Sequence, residues 1–144
     1  MRVFYAGIIL FAAVMLVAVE AKAVPAGSLE ASGISISPAV IEVTAKQGET
    51  VETEVMLRNV SEEEQVVEMR VKDFEKHGNQ IVFLEEPVDP KFSVAAWAEV
   101  IPQGPIRLLP KKWVTARVVV RIPQDAEVGE HVAAVNVRTV QPKE

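Results

Sequence analysis

Three segments of this chain alternate apolar and polar residues with the period of two that places successive side chains on opposite faces of a β-strand. The segments run from 51 to 58, from 67 to 72 and from 114 to 122. After residue 33, no segment of comparable length has the 3.6-residue apolar period of a helix. The pattern predicts an all-β domain of antiparallel strands, each with one buried and one wet face.

Turn-forming residues separate the predicted strands at short intervals, at 47–49, 59–64, 77–79, 87–90 and 123–129. About seven short strands without a helix to cover a single sheet favour two sheets packed face to face, with a barrel as the alternative. Pro38 lies inside the first predicted strand, at 34–44. Because proline cannot donate a ladder hydrogen bond, we expect it at a sheet edge or where the strand changes sheets.

The amino-terminal segment has the composition of a secretory signal peptide. Arg2 precedes an apolar run from 6 to 19, and Ala21-Lys22-Ala23 forms a small-x-small site. The run is shorter than the roughly 18 residues expected of a spanning helix. We predict a cleaved signal peptide at 1–23, with a retained membrane-anchor helix as the alternative. Residues 24–32 are predicted to be a flexible leader, and 33–144 to be one domain.

Composition excludes several classes of function. The formal net charge is −5, whereas nucleic acids and anionic lipid surfaces require a concentrated basic face. The chain has no cysteine and two histidines, which excludes thiolate zinc sites, iron–sulfur clusters and cysteine nucleophiles. The basic residues near 107–121 are interpreted as a solvated outer face.

The polar residues form no recognisable catalytic set. Glutamates at 62–64 and at 85–86 are consecutive, so they point to opposite faces and are typical of solvated turns. Asp73, Glu75 and His77 have a spacing of two that would place a metal site on one strand face, but His77 falls in a predicted turn. No serine lies in a Gly-x-Ser-x-Gly elbow. We therefore predict a protein that is not an enzyme and has no cofactor or metal.

Two further features have a structural and a functional interpretation. Trp97 and Trp113 are interpreted as packing residues, with stacking on sugar rings as the alternative. Asn59-Val60-Ser61 matches a glycosylation acceptor and falls on a predicted surface turn.

The order of short motifs along the chain is also informative. The motifs are Ile36-Ser37-Pro38, Ile41-Glu42-Val43, Gly48-Glu49, Leu57-Arg58-Asn59, Val71-Lys72-Asp73-Phe74, Gly78, Ile106-Arg107-Leu108-Leu109-Pro110, Val118-Val119-Val120-Arg121-Ile122-Pro123 and Gly129-Glu130-His131. In this order they resemble the immunoglobulin-like amino-terminal domain of periplasmic pilus chaperones and the similar domain of bacterial surface proteins that interact with WxL proteins. The first strand lacks the basic anchor of those chaperones, which also have two such domains in tandem.

The resemblance implies an immunoglobulin-like sandwich that is exported to the periplasm, the cell surface or the medium. It implies a non-catalytic binding or structural module of the cell envelope that recognises protein or wall material. The alternative is a chaperone-like protein that assists assembly of surface fibres by edge-strand pairing.

If an edge strand binds a protein partner, the last predicted strand is the candidate. It carries Val132, Ala134, Asn136 and Arg138 on one face, with small and apolar residues on the other. Exposed edges are normally guarded by charge, which this strand largely lacks. The alternative is a central strand that is buried on both sides.

Overall fold

A computed structural model describes residues 6–14, as a backbone strand, and residues 33–141. The elements in chain order are β1 Ala6–Val14, β2 Ile34–Ser37, β3 Val40–Ala45, β4 Thr50–Asn59, β5 Gln65–Lys72, β6 Phe74–His77, β7 Gln80–Phe83, α1 Val94–Trp97, β8 Ala98–Ile101, β9 Ile106–Leu108, β10 Trp113–Arg121 and β11 Glu130–Thr139. The prediction of an all-β chain is confirmed for these residues.

The strands form two main sheets and one hairpin. One sheet has the order β3-β1-β11-β5-β9, the second has the order β2-β4-β10-β8, and β6 pairs with β7. Every described strand pair is antiparallel except β1 with β11, which is parallel.

Both main sheets contribute to one apolar core, which gives the molecule a sandwich-like arrangement. Val55 and Val118 enter the core from the four-stranded sheet, and Val67 and Val135 enter it from the five-stranded sheet. All four side chains are fully buried. Because the chain has no cysteine, the described fold is held by this core and by its backbone ladders.

The three alternating segments form β4, β5 and β10, as predicted. Pro38 lies between β2, in the four-stranded sheet, and β3, in the five-stranded sheet. Of the two positions expected for it, a sheet edge or a change of sheet, the structure places Pro38 at a change of sheet. The turn predicted at 77–79 is also confirmed, and it joins β6 to β7, which form a separate two-stranded sheet.

The structure differs from the expected strand count and from the expected absence of helix. Eleven strands are described rather than about seven, since the first predicted strand is divided at Pro38 and several added strands have only three or four residues. The single helical turn α1 begins after Ser93, whose hydroxyl accepts a hydrogen bond from the amide of Ala96. A four-residue helix is too short to produce a visible apolar period.

The structure describes residues 6–14 as a strand, whereas a retained anchor was expected to be helical. An uncharged apolar run fits a strand enclosed by two neighbours as well as it fits a helix, so periodicity alone cannot distinguish them. Within the described parts of the chain, no helix has the length and apolar character needed to cross a bilayer. Cleavage after Ala23 stays a prediction, and the leader at 24–32 lies outside the described residues.

Candidate strand-binding site

The predicted binding strand, β11, lies inside the five-stranded sheet between β5 and β1. On the β5 side Val135 pairs with Val71, and Val137 pairs with Met69. Ala133, Val135 and Val137 face the core. With β1 in place, β11 is therefore a central strand, which is the alternative that the sequence left open.

The four predicted site residues lie on the other face of β11. Ala134 and Asn136 are buried, Val132 is half-buried and Arg138 is exposed. The Asn136 side-chain nitrogen is buried without a hydrogen-bond partner among the described residues. The four residues share one face, but nothing in the described geometry joins them into a catalytic or metal site.

Arg138 is held by an ion pair with the neighbouring strand. Its Nη2 donates to the Glu68 Oε2 atom at 2.8 Å, and Arg70 lies 3.7 Å from the same oxygen. The hydrogen bond from Arg138 lowers the pKa of Glu68 below its usual value, against a smaller opposing effect of desolvation. Arg138 and Glu68 are register partners, so this ion pair joins β11 to β5 near one end of their ladder.

On its other side, β11 pairs with β1 over eight consecutive positions. The register begins at Gly7 with Glu130 and ends at Val14 with Val137. β1 also pairs with β3, from Ala6 with Ala45 to Phe11 with Val40. The apolar amino-terminal segment is therefore enclosed by a strand on each side. Sequence reasoning missed this position, although the absence of charge and proline from 6–14 is compatible with an enclosed strand.

β3 is attached to the rest of the domain at both of its ends. Before it, Ser37 and its strand β2 pair with β4 in the other sheet. After it, the turn at 46–49 is fixed to the end of β10: the Gly48 amide donates to the Ile122 carbonyl at 3.0 Å, and the Ile122 amide donates to the Glu49 carbonyl at 2.9 Å. Ala45 is buried, and Ile41 and Val43 pack against the core. These contacts attach both ends of β3 to the rest of the domain, and β1 is its strand partner within the five-stranded sheet.

The Asp73, Glu75 and His77 hypothesis is not supported by the geometry. Asp73 is buried and accepts hydrogen bonds from the Ser93 hydroxyl and from the amides of Val88 and Ala95. Glu75 and His77 pair with each other at 3.0 Å on the exposed hairpin. No cluster of three metal-ligating side chains occurs within 33–141. Asp73 instead fixes the loop that precedes α1.

His131 and Trp97 are packing residues beneath the same loop. Their rings meet edge to face, with centroids 5.0 Å apart, and the Trp97 indole donates to the Pro90 carbonyl. The His131 ring nitrogens lie 3.2 Å from the Phe92 carbonyl oxygen and 2.6 Å from that of Glu127. The histidine therefore connects β11 to two loops.

The other tryptophan has a different environment. Trp113 is 52% exposed, and the Arg58 guanidinium lies 5.5 Å from its ring centroid. Packing was the interpretation preferred for both tryptophans, and the structure places only Trp97 in the core. The Trp113 ring is occupied on one side by Arg58, a common arrangement on solvated sheet faces.

Asn59 is buried, whereas its glycosylation motif was expected on a surface turn. Its side-chain nitrogen donates to the carbonyls of Glu63 at 2.7 Å and Leu108 at 2.9 Å, and its oxygen accepts from the Ser61 amide and hydroxyl. The surface expectation was wrong for this side chain. Because the Asn59 amide is fully buried and fully hydrogen-bonded, the folded domain cannot present it to a glycosylating enzyme.

Most of the basic side chains near 107–121 are paired with carboxylates across neighbouring strands or loops. The ion pairs are Arg107 with Glu64, Lys111 with Glu62, Arg117 with Glu52 and Arg121 with Glu99. Hydrogen bonds from Arg121 and Gln103 lower the pKa of Glu99. The interpretation of a solvated outer face is consistent with this charge pairing.

A cleft of about 410 Å³ lies between the loop at Pro90, α1 and the end of β10. Trp97 and Pro123 line its apolar part, and Glu99 and Arg121 line its polar part. Glu99 and Arg121 bind each other at 2.8 Å, and Asp125 is the third charged residue in the lining of the cleft.

Comparison with models of known protein families finds no match to this chain. Comparisons with curated proteins and with solved structures find no match either.

Proposed function

We propose that this chain is an exported, non-catalytic module of the cell envelope that binds protein or wall material through its five-stranded sheet. The observation that supports the proposal most is the place of residues 6–14. The same residues that have the composition of a signal peptide form β1, between β3 and β11. Export with cleavage would remove this strand and leave two facing sheet edges available for recognition.

The immunoglobulin-like character belongs to the same proposal. The division of the first strand between two sheets at Pro38, and the pairing of β4 with β10 and of β5 with β11, are compatible with such a sandwich. The resemblance of the sequence to pilus-chaperone and WxL-interacting domains agrees with a binding role.

The second candidate is a chaperone-like protein that assists assembly of surface fibres. The observation that favours it is again structural: β11 has a regular eight-residue ladder on the side from which β1 would be removed. A chaperone would release its client during assembly, whereas a structural module would remain with its partner. The lifetime of the complex therefore separates the two candidates.

Two measurements test the proposal in sequence. The full coding sequence is expressed in an exporting bacterial host, and the intact mass of the exported protein is determined. We expect a mass that lacks residues 1–23. A full-length mass, or retention in the cytoplasm, would contradict export with cleavage.

The second measurement identifies the partner by proximity. A photo-crosslinking residue is placed at Thr44, which is exposed and lies on β3, and the products in envelope extracts are identified by mass spectrometry. The matched control carries the same residue at exposed Glu54 on β4, in the other sheet. We expect an envelope protein or wall fragment to be captured from Thr44 only. Equal capture from both positions would contradict recognition through the five-stranded sheet.

A further inference from the structure

We propose that, after removal of residues 1–23, the gap between β3 and β11 binds an uncharged, proline-free strand of a second protein, running parallel to β11. This inference rests on the proposed function, since it requires export and cleavage. It goes further by defining the chemistry of the partner segment and its direction.

The segment seen in the gap defines what the gap accepts. It has the sequence Ala-Gly-Ile-Ile-Leu-Phe-Ala-Ala-Val, with no charge and no proline. Its backbone pairs on both sides at once, with β11 over eight positions and with β3 over six. A strand enclosed in this way must satisfy its amides and carbonyls on both flanks, which excludes proline. The segment that occupies the gap also carries no charge on either of its faces.

The gap persists because β3 cannot easily move onto β11. Closure would require β3 to shift by about 4.8 Å, the spacing of one strand. Such a shift would pull on the two hydrogen bonds that join Gly48 and Glu49 to Ile122, and would draw Ala45 out of the core. β2, immediately before β3, is paired with β4 in the opposite sheet. An open gap therefore leaves two strand edges with unpaired backbone groups. An extended segment of nine residues can form hydrogen bonds with both edges.

The chain itself has no good replacement for the segment once it is cleaved. The leader at 24–32 contains Pro25 and Glu30. Elsewhere in 33–141, the longer uncharged runs either contain proline, such as Pro38 or Pro102, or already belong to the fold: 77–84 lies in the β6–β7 hairpin, 92–98 includes α1, and 131–137 lies in β11. A second cleaved copy has the same composition. The occupant is therefore a different protein of the same compartment.

The test uses the exported protein, after its intact mass has confirmed the loss of 1–23. The probe is a synthetic peptide of residues 6–14 with a short lysine tail for solubility. The matched control is the same peptide with Ile8→Pro and Leu10→Pro, which removes two backbone donors and preserves apolar character. Amide hydrogen exchange is measured by mass spectrometry with and without each peptide.

We expect the unmodified peptide to slow exchange in β3 and β11 at least tenfold, and the proline peptide to bind at least about tenfold more weakly. β4 is the internal reference, because it pairs with β2 and β10 in the other sheet and its exchange should not change. If the cleaved protein is unfolded alone, the unmodified peptide should restore β-structure by circular dichroism, and the proline peptide should not.

Direction is tested with a photo-crosslinker at either end of the peptide. Parallel pairing predicts labelling near Glu130 from the amino-terminal end and near Val137 from the carboxyl-terminal end. Labelling in the reverse order would overturn the parallel placement.

Three outcomes would overturn the inference while leaving the proposed function standing. The first is a cleaved protein whose β3 and β11 exchange is unaffected by the peptide. The second is a monomer in which β3 is already protected without peptide, since the gap would then have closed. The third is a stable oligomer with protected β3 that the peptide dissociates, since the occupant would then be a second copy. An uncleaved protein would instead contradict the proposed function.

Discussion

Asn59 provides a direct test of how this fold is held together. Its substitution by aspartate changes the shape of the side chain very little but replaces a hydrogen-bond donor by an acceptor. In Asn59→Asp the side chain keeps an oxygen for Ser61 and loses the nitrogen that donates to the carbonyls of Glu63 and Leu108. A carboxylate oxygen then faces two carbonyl oxygens at a position that is fully buried.

The expected loss of stability can be estimated from these contacts. Two lost hydrogen bonds cost about 1 kcal/mol each, and the second carboxylate oxygen, buried against two carbonyl oxygens, adds about 1 to 2 kcal/mol. We expect the free energy of unfolding at pH 7 to fall by about 3 to 4 kcal/mol. With a urea m-value of about 1.5 kcal/mol/M, the unfolding midpoint would decrease by about 2 to 2.7 M.

The loss should depend on pH in a defined direction. Burial and the nearby carbonyls raise the pKa of the introduced carboxyl in the folded state above its value of about 3.9 in the unfolded chain. The folded state therefore binds a proton more tightly, so the destabilisation is complete above the folded-state pKa and is relieved as the pH falls towards 4. The protonated carboxyl can again donate one of the two lost hydrogen bonds.

The assay is urea unfolding followed by circular dichroism at pH 7 and at pH 4.5, with wild type measured under both conditions. Asn79→Asp is the matched control, because Asn79 is exposed in the hairpin turn, and we expect it to change stability by less than about 0.5 kcal/mol. If the two variants are equally stable at pH 7, or if the Asn59 variant loses the same stability at both pH values, this account of the Asn59 network is refuted.

Three further variants have defined outcomes. Ser93→Ala should lower the free energy of unfolding by about 2 kcal/mol in urea unfolding, because it removes the α1 cap and one donor to the buried Asp73 carboxylate. Arg138→Gln should raise the pKa of Glu68 towards its usual value, since the hydrogen bond from Arg138 is the largest influence that lowers it, and NMR titration of the Glu68 carboxyl measures the change. Val135→Lys should prevent folding, as judged by circular dichroism, because it would bury a charge at a fully enclosed core position.

Each of these variants has a control in the same fold. Val82→Lys, at a position 44% exposed, should fold normally. Ser35→Ala, on an exposed strand position, should leave stability within about 0.5 kcal/mol of wild type. Arg107→Gln, which removes the ion pair with Glu64, should not move the pKa of Glu68. A folded Val135 variant, or a Ser93 variant as stable as its control, would contradict the burial on which these predictions depend.

The local pattern of the sequence was sufficient for the elements that bury one face. β4, β5 and most of β10 alternate because their outer faces are wet, although Val119 on that face of β10 is buried. The missing amide of Pro38 indicated an interruption of the first strand, which the structure places at a change of sheet. The hairpin at Gly78 was predictable for a similar reason, since the turn requires a positive φ that glycine readily adopts.

Pairing between distant segments could not be read from the sequence. Residues 6–14 are apolar throughout, so only the presence of β3 and β11 on either side distinguishes a strand from a helix. Asn59 follows the alternating segment at 51–58 and begins a turn-like sequence, which is typical of exposed positions. In the structure it ends β4, and its side chain donates to the carbonyl of Leu108, 49 residues away. For β11, the predicted binding strand, the sequence indicated which residues share a face. It did not indicate that β5 and β1 would flank the strand.

The parallel pairing of β1 with β11 also has a consequence for the order of events during synthesis. Gly7 and Glu130 are register partners near opposite ends of the described chain, so closing their contact carries a high loop-closure cost. A ribosome would complete nearly the whole domain before this ladder could form, and an export apparatus that engages the first residues would withhold them during that time. Delivery across the membrane and completion of the sheet would then be competing fates for one segment, and the faster of the two would decide whether the domain leaves the cell with its last strand position filled or open.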